Sequence, residues 1–334
     1  MVDKANRGRG KENRIEIVDK KKLISLCIPV YQNATSLEIL YEEIKGHFDN
    51  SLKSYDFEIC FTNDGSTDGS LEILKSLQKR DSRVRITNFT RNFGQNASTI
   101  AAHKLAKGDA IITISADLQD PTNLIPRMIV EWEKGVEFVI CFRGGRNDSI
   151  LNKVTSLIYY SMIRFHTSKE IPIGGFDCYL LSKRALDKLN AFSDRGFVRS
   201  FHFDLFSLGY KVSKVPYTRL KRVHGKSQIR FFKRFFLFIE ALTSTSYIPL
   251  RIMTILGVGI STFGFLWAFG IFLQWMRGES PFEGWSAIMV AILIIGGLII
   301  LMLGMIGEYI WKIYQETKKR PDYIIDEIIE SDEQ

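Results

Sequence analysis

In this 334-residue chain, three oxygen-bearing side chains come directly after a segment with the pattern of a buried strand, at residues 115–119. Their spacing suits a metal cation. The apolar, β-branched run at residues 110–114 ends at Ser115, and Asp117 and Gln119 follow at alternate positions. Carboxylate and amide oxygens are ligands that Mg²⁺ and Mn²⁺ accept readily. The pattern therefore predicts a cation-binding strand end, with an ordinary strand end before an Asp-capped helix as the alternative.

Polar segments follow other predicted strands in the same way. Asp64 follows the second strand, and it can accept a hydrogen bond from a nucleobase or a ribose. Cationic side chains that can contact phosphates occur at or beyond other strand ends, although a surface ion pair is the alternative for each. They are Arg143, Arg146, Lys153, Arg222 and Lys226. Because the carboxyl ends of parallel strands meet at one edge of a sheet, these loops predict a ligand site there.

Alternating strand and helix patterns provide the scaffold for these loops. Apolar runs predict strands at residues 23–30, 57–62, 84–89, 110–114 and 137–142, with helical periodicity between them. Such alternation predicts an α/β fold with a mainly parallel sheet covered on both faces. Further on, the pattern predicts a helix at 149–165, a strand at 173–181, a helix capped by Ser182 and a strand at 211–218. The chain contains neither GxGxxG nor GxxxxGK[ST], which argues against dinucleotide-binding and P-loop proteins.

Two uncharged segments in the last third of the chain have the length of membrane spans. They are residues 253–275 and 285–307, and the connector between them holds a single basic residue, Arg277. Basic residues flank the outer ends of the pair, so the positive-inside rule places both termini and the α/β domain in the cytoplasm. Residues 229–252 carry aromatic and basic side chains that are typical of interfacial helices, with a soluble core helix as the alternative.

The net charge of +8 is spread along the chain and favours membrane lipids over nucleic acid as a partner. Residues 1–22 are polar and basic, so we expect a disordered tail there and no signal peptide. Residues 23–228 would form the catalytic domain, and residues 308–334 a cytoplasmic tail. Four cysteines lie in apolar runs without CxxC spacing, which predicts buried free thiols.

Eight short motifs, in order, resemble those of the polyisoprenyl-phosphate glycosyltransferases. This group includes the relatives of dolichol-phosphate mannose synthase within the inverting family-2 enzymes of GT-A fold. The layout is most similar to bacterial undecaprenyl-phosphate enzymes with a two-helix membrane anchor. The motifs are Pro-Val-Tyr (29–31), Asn-Asp-Gly-Ser-Thr-Asp (63–68), Arg-Asn-Phe-Gly-Gln (91–95), Ala-Asp-Leu-Gln-Asp-Pro (116–121), Arg-Gly-Gly-Arg (143–146), Arg-Val-His-Gly-Lys-Ser (222–227), Gly-Glu-Tyr-Ile (307–310) and Arg-Pro-Asp-Tyr (320–323).

The resemblance implies a nucleotide-sugar donor, usually a UDP-sugar, and undecaprenyl phosphate as acceptor. The residues implied for the nucleotide-sugar are Pro29, Tyr31, Asn33, Asp64, Ser115, Ala116 and Asp117. Asp117 and Gln119 would bind Mg²⁺ or Mn²⁺. The residues implied for donor or lipid phosphate are Arg143, Arg146, Arg222, Lys226 and Ser227. A phosphate monoester is largely ionised at neutral pH, so it can attack the anomeric carbon without a strong base.

Three positions depart from the family pattern. Ser115 stands where the metal motif usually begins with Asp, and Asn33 replaces a usual Glu. Several relatives have an acidic residue where Gly175 stands, and the nearest carboxylate here is Asp177. We count Asp177 with Asp117, Arg143 and Arg222 as a candidate catalytic residue. A structural hydrogen bond within residues 174–177 explains Asp177 equally well.

Two other functions fit parts of the sequence. A processive polysaccharide synthase would need a QxxRW segment and more spans than two. A catalytically silent, membrane-anchored nucleotide-sugar sensor would fit Ser115 and Asn33. The predicted enzyme is a multi-pass protein of the inner (plasma) membrane that makes a lipid-linked sugar for the cell envelope. Its glycine-rich spans are compatible with a homo-oligomer.

Overall fold

The computed structural model describes residues 21–143, 161, 164, 168, 170–172, 176–193, 201–218, 248–277, 285–318 and 321–331. Several predicted features lie outside this set. They are most of the basic tail, most of the predicted helix at 149–165, the predicted interfacial segment up to residue 247, and the phosphate-binding candidates Arg146, Lys153, Arg222, Lys226 and Ser227.

One mixed sheet organises the described part of the chain. Its strands are β1 (Lys22–Val30), β2 (Tyr55–Asn63), β3 (Val84–Phe89), β4 (Ala110–Thr113), β5 (Phe138–Arg143), β6 (Tyr179–Ser182), β7 (Val212–Tyr217) and β8 (Ile325–Ile329). Their spatial order is β7-β5-β6-β4-β1-β2-β3-β8. Strands β1 to β5 and β7 run in one direction, whereas β6 and β8 are antiparallel to their neighbours. The carboxyl ends of six strands therefore share one edge.

Helices cover both faces of the sheet, as the alternating pattern predicts. They are α1 (Ala34–Asn50), α2 (Ser70–Arg80), α3 (Gln95–Leu105), α4 (Leu124–Glu133), α5 (Lys183–Ser193), α6 (Phe201–Ser207), α7 (Ile248–Met276) and α8 (Trp285–Thr317). One core packs under α1, α2 and α4, and a second packs under α3, α5 and α6. Ser182 caps α5 as predicted, because its Oγ accepts a hydrogen bond of 3.1 Å from the Ala185 N–H.

Strand β8 was not predicted, because residues 308–334 were expected to form a tail. It pairs with β3 in antiparallel register, with Ile86 opposite Ile329. The Tyr323 ring stacks on Phe89 with centroids 4.9 Å apart. At the other end, Glu330 accepts a 2.7 Å hydrogen bond from the buried Arg85 guanidinium. The chain therefore returns to the sheet after α8.

Helices α7 and α8 are long, apolar and largely exposed. Within the described residues, one helix segment is long and apolar enough for a membrane span: Ile294–Trp311 in α8, with a mean hydropathy of 1.9 and none of it buried. The apolar segment of α7, Met253–Trp267, is shorter. The two helices touch, because the Met302 methyl lies 2.9 Å from the point where a Cβ on Gly257 would be. One helix thus meets the length and hydropathy requirements of a span, and the predicted two-helix hairpin is not confirmed.

Candidate active site

The loop after β4 places two carboxylates around one hydroxyl. Ser115 Oγ lies 2.9 Å from Asp117 Oδ1 and 2.8 Å from Asp120 Oδ2. The Gln119 N–H donates to Asp117 Oδ1 at 3.2 Å, and Leu118 turns the loop with a left-handed φ of 57°. A serine hydroxyl has one proton, so it donates to one of these carboxylates at a time. The second carboxylate therefore favours a further positive group at this loop.

The residues of this loop fit a divalent cation that shares its ligands with a substrate. No group of three or more His, Cys, Asp or Glu side chains suited to a metal occurs in the part of the chain that the structure describes. Mg²⁺ is commonly held by one or two carboxylates together with substrate phosphates and water. Asp117, supported by Ser115, matches that arrangement, and Gln119 is buried in the same loop.

A hydrogen-bond network leads from this loop to the end of β5. The Tyr217 hydroxyl donates to Asp120 Oδ1 at 2.6 Å. Arg143 lies opposite Tyr217 in the β5–β7 register and forms an ion pair with Asp177. Arg143 Nε is buried and has no hydrogen-bond partner among the described residues. The site therefore has an unused cationic N–H at the sheet edge.

Two pKa values at this network follow from burial and charge. Burial raises the pKa of Tyr217, and the adjacent Asp120 carboxylate raises it further. Burial alone would lower the pKa of Arg143, but Asp177, Tyr217 and Asp120 together outweigh it and raise that pKa. Tyr217 is therefore a protonated donor at neutral pH, and Arg143 is a permanent cation.

Asp64 holds the loop at residues 91–95 in place. Its side chain is 3% exposed and accepts hydrogen bonds from the Phe93 and Gly94 N–H groups at 2.7 Å and 2.9 Å. Burial raises the pKa of Asp64, while these two bonds act in the opposite direction. Gly65 has a φ of 64°, and a Cβ there would lie 2.5 Å from the Arg91 carbonyl carbon. The motifs at 63–68 and 91–95 therefore pack directly against each other.

The loop after β1 is tied to the loops after β2 and β4. The Gln32 N–H donates to Ser66 Oγ at 3.1 Å, and Ser36 Oγ donates to the Ala116 carbonyl at 2.6 Å. Asn33 Oδ1 accepts a 3.0 Å bond from the Tyr31 N–H, so this side chain shapes its own loop. The Tyr31 ring remains 44% exposed above the sheet edge.

All ten predicted site residues that the structure describes lie along one edge of the sheet. These are Pro29, Tyr31, Asn33, Asp64, Ser115, Ala116, Asp117, Gln119, Arg143 and Asp177. Asp120 and Tyr217 also belong to this site and were not among the predicted residues. Asp120 precedes Pro121 and was taken for a helix start, and Tyr217 is one of several aromatic residues beyond β5. Alternation along β7, where Val215 and Tyr217 are buried and Pro216 is exposed, is the signal that could have found Tyr217.

The sheet order and the loops at its carboxyl edge define a Rossmann-like enzyme of GT-A fold. Residues 25–189 match the family model described as Glycosyl transferase family 2. The chain is 35% identical to an uncharacterized glycosyltransferase, YkcC, of Bacillus subtilis, over 90% of this chain and 92% of the relative. The chain belongs to glycosyl transferase family 2 and is a glycosyltransferase.

Other relatives carry more specific names. The bactoprenol glucosyl transferase of Shigella phage SfX is 34% identical, over 90% of this chain and 98% of the relative. The prophage bactoprenol glucosyl transferase homolog of Escherichia coli has the same identity and coverage. These names support the predicted resemblance to polyisoprenyl-phosphate glycosyltransferases. They do not support a resemblance to the dolichol-phosphate mannose type.

Proposed function

We propose that this protein transfers a sugar from a nucleotide-sugar, preferably a UDP-sugar, to a polyisoprenyl phosphate such as undecaprenyl phosphate. The observation that carries the proposal is the joint network of the Asp117 loop and Arg143 at the edge of a glycosyltransferase sheet. The same chain contains long, exposed apolar helices that suit a lipid acceptor. The relatives named bactoprenol glucosyl transferase align with 90% of this chain, which includes both the sheet and the apolar helices.

The donor diphosphate would lie between the Asp117 loop and Arg143. Asp117 and Gln119 would hold Mg²⁺ or Mn²⁺, which when bound would neutralise charge on the leaving diphosphate. The buried Arg143 N–H that lacks an acceptor among the described residues suits a phosphate oxygen. Pro29, Tyr31, Asn33 and Asp64 would line the nucleotide end, where Asp64 already fixes the 91–95 loop.

The reaction needs positioning more than proton transfer. An oxygen of the lipid phosphate attacks the anomeric carbon, the bond to the donor diphosphate breaks, and UDP leaves with inversion. The attacking oxygen is already ionised, so the site has to orient it and neutralise charge. Arg146, Arg222, Lys226 and Ser227 would complete the phosphate contacts, and Asp177 would contact the sugar or restrain Arg143.

Chain connectivity supports a two-helix membrane hairpin. The chain leaves the sheet after β7 and returns to it in β8, so any membrane crossings between these strands must be even in number. If α8 crosses through Ile294–Trp311, a second crossing must precede it, and α7 is the apolar helix next to α8. The catalytic domain, residues 1–22 and the residues that follow the Ile294–Trp311 segment would then all lie at the cytoplasmic face of the plasma membrane.

A donor panel tests the proposal directly. Full-length protein in lipid nanodiscs is incubated with undecaprenyl phosphate, Mn²⁺ and each of several UDP-sugars, and the lipid product is analysed by mass spectrometry. We expect one glycosylated lipid and equimolar UDP. Asp117→Ala should lose about 100-fold or more in turnover, because a cation ligand is removed. Asp187→Ala, which alters an exposed acid paired with Lys183 on α5, is the matched control and should remain active.

Other outcomes of the same assay separate the alternatives. Binding of a UDP-sugar without UDP release from any donor would indicate the catalytically silent sensor, which the hydroxyl at Ser115 favours. A ladder of products would indicate a polymer-forming enzyme. Either outcome would overturn the proposed transfer.

A further inference from the structure

A buried carboxylate outside the predicted metal motif joins the two halves of the site. Asp120 is 1% exposed, and each of its oxygens lies within hydrogen-bond distance of a hydroxyl. Tyr217 donates to Oδ1 at 2.6 Å, and Ser115 Oγ lies 2.8 Å from Oδ2. An unpaired buried carboxylate is strongly unfavourable, so these two contacts hold Asp120 at a fixed place. Asp120 is therefore the meeting point of the β4 loop and the β5–β7 edge.

The hydrogen bonds of this network have a definite direction. The Arg143 guanidinium, which has only donors, lies beside Tyr217 in the β5–β7 register, and its charge acts on the Tyr217 oxygen. The Tyr217 hydroxyl in turn donates to Asp120. Ser115 approaches the same carboxylate from the opposite side, and it also lies 2.9 Å from Asp117. A continuous series of contacts thus connects Arg143 with Asp117.

We propose that Asp120 and Tyr217 are positioning residues that hold the Asp117 loop and the Arg143 guanidinium at a fixed separation for sugar transfer. The proposal rests on the proposed function, because it takes Asp117 and Arg143 as the groups that flank the donor diphosphate. Neither positioning residue needs to touch the substrate. Tyr217 sets the place of Arg143, and Asp120 sets the place of Ser115 and, through it, of Asp117.

Loss of Asp120 or Tyr217 should lower kcat strongly and change donor binding only slightly. A shift of about 1 Å in a reacting group can cost about 100-fold in rate. Loss of a group that supports a metal ligand typically costs about 10-fold to 100-fold. The loops after β1, β2 and β3 hold one another through Gln32, Ser66 and Asp64, outside this network. We therefore expect kcat to fall and the donor KM to change by less than about threefold.

The kinetic test compares Tyr217→Phe, Asp120→Asn and the double variant in full-length protein. Each single variant should lose about 10-fold to 100-fold in kcat, and the double variant should lose no more than the worse single one. The matched control is Tyr41→Phe, because Tyr41 is 3% exposed and donates to Asp81 at 2.8 Å, at the amino edge of the sheet. Tyr41→Phe should lower the melting temperature similarly and leave kcat unchanged. Losses that multiply in the double variant, or equal kcat in Tyr217→Phe and Tyr41→Phe, would overturn the proposal.

A second measurement needs no substrate. Amide hydrogen exchange in residues 115–122 should become faster in Tyr217→Phe and remain at the wild-type rate in Tyr41→Phe. The Gln119 N–H, which donates to Asp117, is the most informative probe. If wild-type protein transfers no sugar, the proposed function fails and the exchange result alone decides whether the pair holds the loop. Unchanged exchange in Tyr217→Phe would refute the positioning role.

Discussion

The guanidinium of Arg143 forms an ion pair with the carboxylate of Asp177. Arg143 ends β5, and Asp177 precedes β6, the antiparallel neighbour of β5. The sequence fits two roles for Asp177, a sugar contact and a local hydrogen bond. The structure adds a charged partner on another strand, Arg143. Part of the Arg143 charge is therefore balanced inside the protein before any phosphate arrives.

Removal of the Asp177 charge should strengthen binding of the product nucleotide and slow turnover. In Asp177→Asn, the shape is kept and Arg143 loses its counter-charge, so UDP with Mn²⁺ should bind about fivefold more tightly, or roughly 1 kcal/mol. Turnover should fall about 10-fold, because a catalytic contact is lost and UDP leaves more slowly. Calorimetry and steady-state kinetics give the two values. Asp187→Asn is the control, and weaker UDP binding in Asp177→Asn would contradict the proposed role of Arg143.

Restoring a carboxylate at residue 115 should increase the dependence on metal. Ser115→Asp would place a third acid beside Asp117 and Asp120, so the metal-free protein should lose about 1–2 kcal/mol of stability through like-charge repulsion. Mn²⁺ should restore that loss, and the Mn²⁺ concentration for half-maximal activity should fall about 10-fold. Thermal unfolding with and without chelator, and a Mn²⁺ titration of activity, check both effects. Ser82→Asp, in an exposed turn, is the control; identical Mn²⁺ curves for Ser115→Asp and wild type would count against a cation at this loop.

Tyr323 should stabilise the catalytic domain from a position beyond the apolar helices. Its ring stacks on Phe89, against which Phe93 also packs, and the Phe93 N–H donates to Asp64. Tyr323→Ala should therefore cost about 2–4 kcal/mol and raise the donor KM through the 91–95 loop. Thermal unfolding and donor kinetics measure the two effects. Tyr323→Phe keeps the ring and should behave like wild type, whereas full stability in Tyr323→Ala would show that this segment does not hold the sheet.

His103 should make the domain less stable in acid. Burial lowers the pKa of His103 to about 3, against about 6.5 in an unfolded chain. Between these values the unfolded state binds the extra proton, so stability falls as pH decreases, by about 1.4 kcal/mol per pH unit, and His103 has no effect above about pH 7. Chemical unfolding at neutral pH and at about pH 5 should show a difference of roughly 2 kcal/mol that shrinks in His103→Gln. Parallel losses in the two proteins would assign the acid sensitivity to other groups.

The first five strands were predictable because each is a short apolar run next to a polar turn. Leu26, Cys27 and Ile28 of β1 are consecutive and all fully buried, as a strand covered on both faces requires. The same reasoning located Ser115, Asp117 and Arg143, because strand ends determine which loops share an edge. The local hydrophobic pattern was sufficient to predict a strand wherever its partner strands were also apolar.

Strand β8 and Asp120 depend on contacts that are distant in sequence. Ile325–Ile329 contains two acidic residues, and it becomes a strand because β3 offers a free edge and Arg85 binds Glu330. Asp120 resembles a helix start until Tyr217, 97 positions later, reaches its carboxylate. No local periodicity encodes either pairing, so the sequence alone could not reveal them.

The position of β8 also orders the events of biosynthesis. The chain is made from its N-terminus, so β8 emerges only after both apolar helices have been synthesised. Until then the outer edge of β3 has unpaired N–H and C=O groups, which other chains can bind. A chain truncated within α8 can never close that edge. Completion of the sheet therefore requires that synthesis has continued beyond α8 and that the residues after α8 have reached the catalytic domain.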